Sequence, residues 1–569
     1  MSLEVEAVAS VAISVQNLSV CVPEKQGTKT LLSNIDFDVE KGRFIAVIGA
    51  SGCGKSTLIK ALAGLIAPME GSVVFAARSV QELNAELPLA VGYLPQFGAF
   101  HEKLTVQENL DTAAALRLPR TISQERRDAW MRHITELARI DPLLPQEYKT
   151  LSGGQMRRMA LAEELIGDPA FLLLDELTSG LDAFSDQEMM VWLRNLAHEM
   201  EKTVVLVTHA TNNLHYCDAI LFLHQGRLIH YGDQQSLLDA HGVESIAELF
   251  GLYQADQPLV AEEVVHRDRG DVAESISIKS LPPPGGGTQF APLLVRQAKL
   301  FWRDKGQILL HVALILTFPA LVAVFATSGL PQVRNQTLAL ETSILRTLQD
   351  QLLYLKESFQ SASLISGLTM FQVVLLTLIG ANNGAREIAK ERSILSKELR
   401  AGLSPTAYVL VKFLQIVLLC AIQAFWMAWF VRTVCGFPGS LTSQFLILFA
   451  TVLAMSTTCL AISAASPSPE RASLLAIYLV GFQLPLSGAA LALPDWLSTV
   501  CRPFIAAYWG WSGYLQTFSD TRYFDIVRQS SDTWIAPYPL GLAVLGLHVL
   551  LALTGAVFLT SRIKNQAAL

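Results

Sequence analysis

The densest chemistry in the chain lies in nine residues, GASGCGKST at 49–57. Gly49, four further residues and then Gly54-Lys55-Ser56 give the spacing of a loop that wraps phosphate groups when a strand leads in and a helix leads out. Side chains are small from Gly49 through Ala50, Ser51, Gly52, Cys53 and Gly54, so successive backbone N–H groups can converge on anionic oxygens. Lys55 reaches the outer phosphates of a nucleoside triphosphate, and Ser56 offers a hydroxyl to Mg2+. Thr57 continues into a helix whose positive end favours the same anion. FLLLDE at 171–176 adds two carboxylates. Asp175 can reach the same Mg2+, and Glu176 can orient or deprotonate an attacking water. An Asp-Glu pair after a strand is otherwise an ordinary helix start.

These groups need rigid elements behind them. RFIAVI at 43–48 reads as a short buried strand running straight into the glycine-rich loop, and FLLL at 171–174 as a second one. The first 290 residues mix charged and apolar positions as a soluble α/β domain does. Some hundred residues after the first glycine run comes another, LSGGQ at 151–155.

With those pieces in order the chain resembles the ABC ATPases over essentially all of residues 11–250. The likeness rests on the phosphate loop, Gln96 in GYLPQ, LSGGQ at 151–155, SGLD at 179–182 and His209 in VTHAT. It implies an α/β P-loop ABC ATPase fold that uses ATP and Mg2+. It also implies that two such domains meet head to tail. Ser152, Gly153, Gly154 and Gln155 of one would then close on the ATP held by the other, with Asp182 linking the two sites. Gln96 would sense Mg2+, and His209 would contact the γ-phosphate. One chain holds one set of motifs, so a second copy or a related half-transporter is the expected partner. Two features depart from the family. No Phe, Tyr or Trp stands between residues 11 and 36 to stack on adenine, leaving apolar contact from Val20 or Val22. Leu177 replaces the usual proline after the acidic pair.

The 569 residues are 51% hydrophobic and 16% charged, with mean hydropathy +0.37. Such a length calls for two or more domains. A net charge of −7 offers no basic face, so no nucleic-acid partner is expected. Seven cysteines without a CxxC pair argue against zinc. MSLEVEAVAS shows neither the basic segment nor the apolar core of a cleaved signal. The expected organisation is an ATPase domain over 1–254, a flexible Pro/Gly-rich linker over 255–288, an amphipathic connecting helix over 289–305 and an all-α transmembrane domain over 306–569. In that connecting helix Phe290, Leu293, Leu294 and Phe301 recur at helical spacing, with Arg296, Lys299 and Arg303 elsewhere. It either lies on a membrane surface or packs on the ATPase domain. Six uncharged stretches, 306–333, 358–385, 413–431, 433–469, 472–494 and 533–561, are each long enough to span a bilayer. They place helices at about 307–327, 366–385, 411–431, 443–464, 472–493 and 539–561. Thirteen Lys/Arg flank the expected inner side against seven outside, which puts both termini and the ATPase in the cytoplasm.

An ATPase followed by six spans resembles the ABCG (White-type) half-transporters, and REIAKERSILSKELRAGLSPTAYVLVKF at 386–413 looks like that family's inner loop and third span. THATNNLHYCDAILFLHQGRLIHYG at 208–232 is closer to bacterial ABCG-like exporters, so a bacterial inner membrane is expected. The resemblance implies that the connecting helix and the 386–400 loop carry ATPase movement to the spans. It also implies that the second and fifth spans line a cavity, with Phe371, Gln372, Phe482, Gln483 and Leu486 as lining residues. No acidic or fixed basic residue lies in the uncharged runs, which suits an apolar or amphipathic cargo among membrane lipids rather than an ion pathway. Leu338, Leu345, Leu352 and Phe359 repeat every seven residues in 335–363. That helix pairs with its twin, docks an extracytoplasmic protein partner, or continues the second span. Cys435 and Cys501, both expected outside, form a disulfide or stay free. The reading is a dimeric ATP-driven exporter of a lipid, glycolipid or drug-like molecule. The alternative is a force-relaying ABC protein that moves no substrate.

Overall fold

The computed structural model describes residues 11–24, 27–96, 98–253, 282–326, 344–489 and 493–566, arranged in two compact units. Most of the linker expected over 255–288 lies outside the described residues, and Gly286 already opens a helix.

The first unit holds most of the chain up to Pro292 together with Ser396–Ser404. Its strands are β1 (Val11–Glu24), β2 (Gly27–Glu40), β3 (Phe44–Ile48), β4 (Glu70–Phe75), β5 (Arg78–Ser79), β6 (Val91–Leu94), β7 (Phe171–Asp175), β8 (Thr203–Val207), β9 (Ala219–His224) and β10 (Arg227–Gly232). One sheet runs β2-β1-β4-β5, the other β10-β9-β3-β8-β7-β6. FIAVI, FLLLD and TVVLV are buried at all five positions. Covered on both faces, such strands read as unbroken apolar runs and pair in parallel. The register sets Val47 against Val207 and Val207 against Asp175, so the three strands end on one row. In open sheets of this kind ligands bind beyond the carboxyl ends of the strands. The helices used below are α1 (Lys55–Leu62), α2 (Val106–Arg117), α3 (Gly153–Leu165) and α4 (Ala183–His198).

The second unit contains α5 (Gly286–Arg303) from Leu293 onward, α6 (Lys305–Val324), α7 (Ile344–Gly384), α8 (Arg392–Arg400) up to Leu395, α9 (Pro405–Cys435), α10 (Leu441–Ala465), α11 (Pro469–Gln483), α12 (Ala506–Gln516) and α13 (Tyr538–Gln566). Among the described residues five helices are long and apolar enough to cross a membrane; they include α6, α9, α10 and the body of α7 and α13. The expected fifth span at 472–493 is shorter. α11 stops after 15 residues, Pro485–Ser487 forms a 3-10 turn, and Gly488 sits at φ 76°. That is below the ~20 residues a spanning helix needs. Residues 506–515 of α12 are all buried, and Trp511 Nε1 donates to Ser366 Oγ on α7 at 3.2 Å.

Small and polar side chains hold the apolar helices together. α7 meets α10 so closely at Gly384 that a Cβ there would stand 2.1 Å from the Ser456 carbonyl. Asn383 Nδ2 donates to Gln423 Oε1 at 2.8 Å across α7 and α9. A charge also lies deeper than expected. α9 begins at Pro405, which brings Lys412 into a long helix where its side chain is 1% exposed. Its Nζ lies 2.9 Å from Glu391 Oε1 and 3.4 Å from Glu387 Oε2, while Tyr408 donates to Glu391 at 2.8 Å. The α5 helix departs from its expected pattern too. Gln289, Leu293, Arg296 and Gln297 form its buried face, whereas Val295 and Trp302 are exposed. Cys435 and Cys501 are free thiols, so the disulfide alternative falls.

Replacing Lys412 by Met removes the ammonium 2.9 Å from the enclosed Glu391, while Glu387 keeps Lys390 at 2.7 Å. Removing one partner of a buried pair costs about 3–5 kcal/mol. Thermal unfolding of the protein in lipid nanodiscs is expected to show that loss, with most of it recovered when Glu391→Gln is added.

Candidate functional site

The row of strand ends dictates what gathers there. β3 delivers the loop 49–54, whose shape requires Gly49: a Cβ at that position would stand 2.2 Å from the Leu223 carbonyl. Lys55 opens α1 with its side chain buried, and its Nζ donates to the Gly49 carbonyl at 2.8 Å and the Ala50 carbonyl at 2.9 Å. The ammonium thus lies across the inside of the loop. No acidic residue occupies the first turn of α1, so nothing there repels an anion. Ser51 and Gly52 are exposed, Cys53 is buried, and Thr57 is half-buried.

β7 brings up the acidic pair. Ser56 Oγ donates to Asp175 Oδ1 at 3.3 Å, so the two expected Mg2+ ligands already adjoin. Burial, and then the neighbouring Glu176 charge, push Asp175 above the usual carboxylate range, with the Ser56 hydrogen bond opposing them. A buried acid in that state gains from a cation, and an oxygen pair of this kind suits Mg2+. Glu176 leaves the strand at φ 53°, a left-handed conformation unusual for a side chain of its size. Its N–H donates to the Val207 carbonyl at 2.9 Å, which helps hold the turn. Its carboxylate is gripped on both sides. Gln96 Nε2 donates to Oε2 at 2.6 Å, and His209 Nε2 stands 3.3 Å from Oε1. Three residues nominated from distant parts of the sequence therefore meet at one carboxylate. A pair the sequence reading did not single out supports them: Thr178 and Thr208 share a buried hydrogen bond of 2.9 Å, and Thr208 Oγ1 accepts from Ala210 N at 3.0 Å.

The second glycine loop is organised differently. Ser152 caps α3: its Oγ accepts from Gln155 N, while Gln155 Oε1 accepts from Ser152 N at 2.9 Å. Such a reciprocal box fixes where a helix begins. Ser152 and Gly153 are exposed, and a Cβ at Gly153 would meet nothing within 4 Å. Packing among the described residues therefore does not call for glycine at 153. Asp182 caps α4 by accepting from Ser185 N at 3.0 Å and Ser185 Oγ at 2.7 Å, which holds its carboxyl below the usual range.

Other expected residues fall elsewhere. Val20 is fully buried in the core, so it cannot touch a base; Val22 keeps some exposure. Leu177 packs into the apolar cluster that includes Leu174 and Leu193. Among the residues expected to line a cavity, Phe482 is exposed, and Phe371 and Leu486 are half-buried. Gln372 and Gln483 are enclosed within the chain. Gln483 Oε1 accepts from Ala507 N at 3.0 Å, which ties α11 to the start of α12.

Residues 32–179 match the family model described as ABC transporter, and residues 288–510 match the one described as ABC-2 type transporter. The ABC transporter ATP-binding/permease protein Rv1747 of Mycobacterium tuberculosis is 29% identical over 487 residues, covering 82% of this chain and 53% of that protein. The chain thus spans about half the length of this relative. The aliphatic sulfonates import ATP-binding protein SsuB of Bacillus thuringiensis is 35% identical over 197 residues, 35% of this chain and 74% of its own. A solved dimeric ATP-binding cassette, MJ0796 bound to ADP and Pi, is 26% identical with a TM-score of 0.36, covering 39% of this chain and 98% of that one.

Glu176→Gln keeps the size of the side chain and a hydrogen-bonding group for Gln96, but removes the carboxylate expected from the sequence to act as base. General-base catalysis contributes roughly 10²–10⁴-fold, and a loss of that order in ATP turnover is expected, with nucleotide binding retained in a filter or fluorescence assay.

Proposed function

This chain is an ABC transporter protein, with an ABC-2 type membrane domain behind its ATP-binding domain, and we propose that two copies of it couple ATP hydrolysis to the export of an apolar or amphipathic molecule. The observation that carries the dimer is the LSGGQ end of α3. It is exposed, pre-shaped by its own capping box, and leaves open space over Gly153 that no described residue fills. A backbone so bared suits close approach by a phosphate from outside the chain.

In this reading the loop 49–54 and Lys55 hold the triphosphate of one copy, and the partner's Ser152–Gln155 closes over it. Ser56 and Asp175 hold Mg2+, which supplies positive charge to the phosphates. Glu176 takes up the proton of the attacking water. Gln96 and His209 keep its two carboxylate oxygens in place while it does so. Asp182 stands at the start of α4 on the dimer-facing side. An exposed apolar side chain such as Phe482 on α11 supports a cargo of lipid, glycolipid or drug-like chemistry. The bacterial inner membrane and the cytoplasmic placement of both termini belong to the same proposal. A second reading, force relayed to an extracytoplasmic protein partner, rests on Leu352, Leu355 and Phe359, which lie exposed along the first half of α7.

ATP turnover in lipid nanodiscs, measured beside Glu176→Gln across lipids, glycolipids and amphipathic drugs, separates the two. Stimulation of several-fold by one compound class supports export. Turnover that depends on Glu176 but ignores every compound favours the force-relaying reading.

A further inference from the structure

The first unit contains nine residues, Ser396–Ser404, that arrive from far along the sequence, and Lys397 in α8 is the most buried of the charged groups among them. Its ammonium donates to Glu163 Oε2 at 2.5 Å and to the Ala99 carbonyl at 3.1 Å, and it stands 4.1 Å from the centre of the Phe100 ring. Close to one turn later, Arg400 holds its guanidinium 5.7 Å from the centre of the Tyr93 ring. Tyr93 and Phe100 flank the segment that carries Gln96. The two cations therefore grip that segment from its two ends, each on an aromatic face.

Glu163 lies on α3, the helix whose first turn presents Ser152–Gln155. Phe100 also packs on Tyr148, with ring centres 4.6 Å apart, just ahead of Leu151. The Gln96 segment and the LSGGQ helix thus meet at one side chain, and that side chain comes from neither. We propose that Lys397 is a positioning residue for ATP hydrolysis, locking the Gln96 segment to α3 so that the hold on Glu176 and the stance of Ser152 are set together. This rests on the ATP-hydrolysing reading above. Glu163 also accepts from Arg117, whose Nη1 donates to the Glu163 carbonyl at 2.6 Å and whose Nη2 lies 3.4 Å from Oε1 and 3.2 Å from Glu164 Oε1. Losing the lysine therefore leaves the acid paired and the local fold supported.

The test is steady-state ATP turnover of the full chain in nanodiscs, with thermal unfolding run on the same samples. Misplacement of a catalytic group by about 1 Å costs up to ~100-fold. Lys397→Met is accordingly expected to lower kcat roughly tenfold or more, with KM for ATP and the unfolding temperature near wild type. Lys397→Arg, which keeps a cation over Phe100 and beside Glu163, is expected to restore most of the rate. Wild-type kcat in Lys397→Met overturns the proposal. So does a joint fall of kcat and unfolding temperature that Lys397→Arg does not rescue. Should Lys397→Met fail to fold, Glu163→Gln and Phe100→Leu decide, since unchanged kcat in both overturns it. Turnover that survives Glu176→Gln overturns the functional reading instead, so the two failures are distinguishable.

Discussion

Everything in the ATP-binding unit depends on three parallel strands ending on one row. Because Val47, Val207 and Asp175 share a register, the glycine loop after β3, Thr208 and His209 after β8, and Glu176 after β7 emerge side by side. Both faces of these strands are buried, so a slip by one position would exchange the side chains packed on the two faces. The chemistry is polar, yet the strands that aim it are almost wholly aliphatic. Glu176 adds a local constraint. Its left-handed backbone turns the carboxylate toward Gln96 and His209 instead of along the strand, a cost of order 1 kcal/mol or more that the surrounding contacts offset.

The membrane unit solves the opposite problem. Apolar contact alone does not distinguish a neighbouring helix from lipid, so specificity must come from small or polar side chains. Gly384 against Ser456, the Asn383–Gln423 amide pair and Ser463 Oγ, which accepts from the backbone N–H groups of Ile388 and Ala389, do that work. Lys412 with Glu387 and Glu391 goes further. Such a cluster is stable only when complete, which makes it a device for choosing one arrangement more than a source of stability.

Legibility in the sequence followed locality. The strand–loop–helix around 49–57 and the acidic pair were readable because each is a short contiguous pattern; the Ser-x-x-Gln box of 152–155 carries a cap signature for the same reason. Gln96 and His209 required a family likeness, since a single glutamine or histidine in a loop carries no pattern. Lys412 fell inside the helix expected at 411–431, but its burial left no local signal, because the carboxylates that neutralise it come from another segment of the chain. The shortened α11 did have a local signal in Pro485 and Gly488, overridden by the apolar run around them. α12 had none, being shorter than a span and enclosed by partners far along the chain. Val20 illustrates the converse error, an apolar strand residue whose facing the sequence alone did not decide.

The 41 residues of α7 form one continuous helix. At 1.5 Å per residue it is about 60 Å long, roughly twice the hydrocarbon thickness of a bilayer. A rod of that length has leverage. Pivoting by about 10° near one end carries the other through about 10 Å, several times the displacement of any single side chain at the pivot. Gly380 and Gly384, where α7 lies close against α10, both sit in its final turns. A small change of angle there is magnified along the remaining length, toward the stretch that carries Leu352, Leu355 and Phe359.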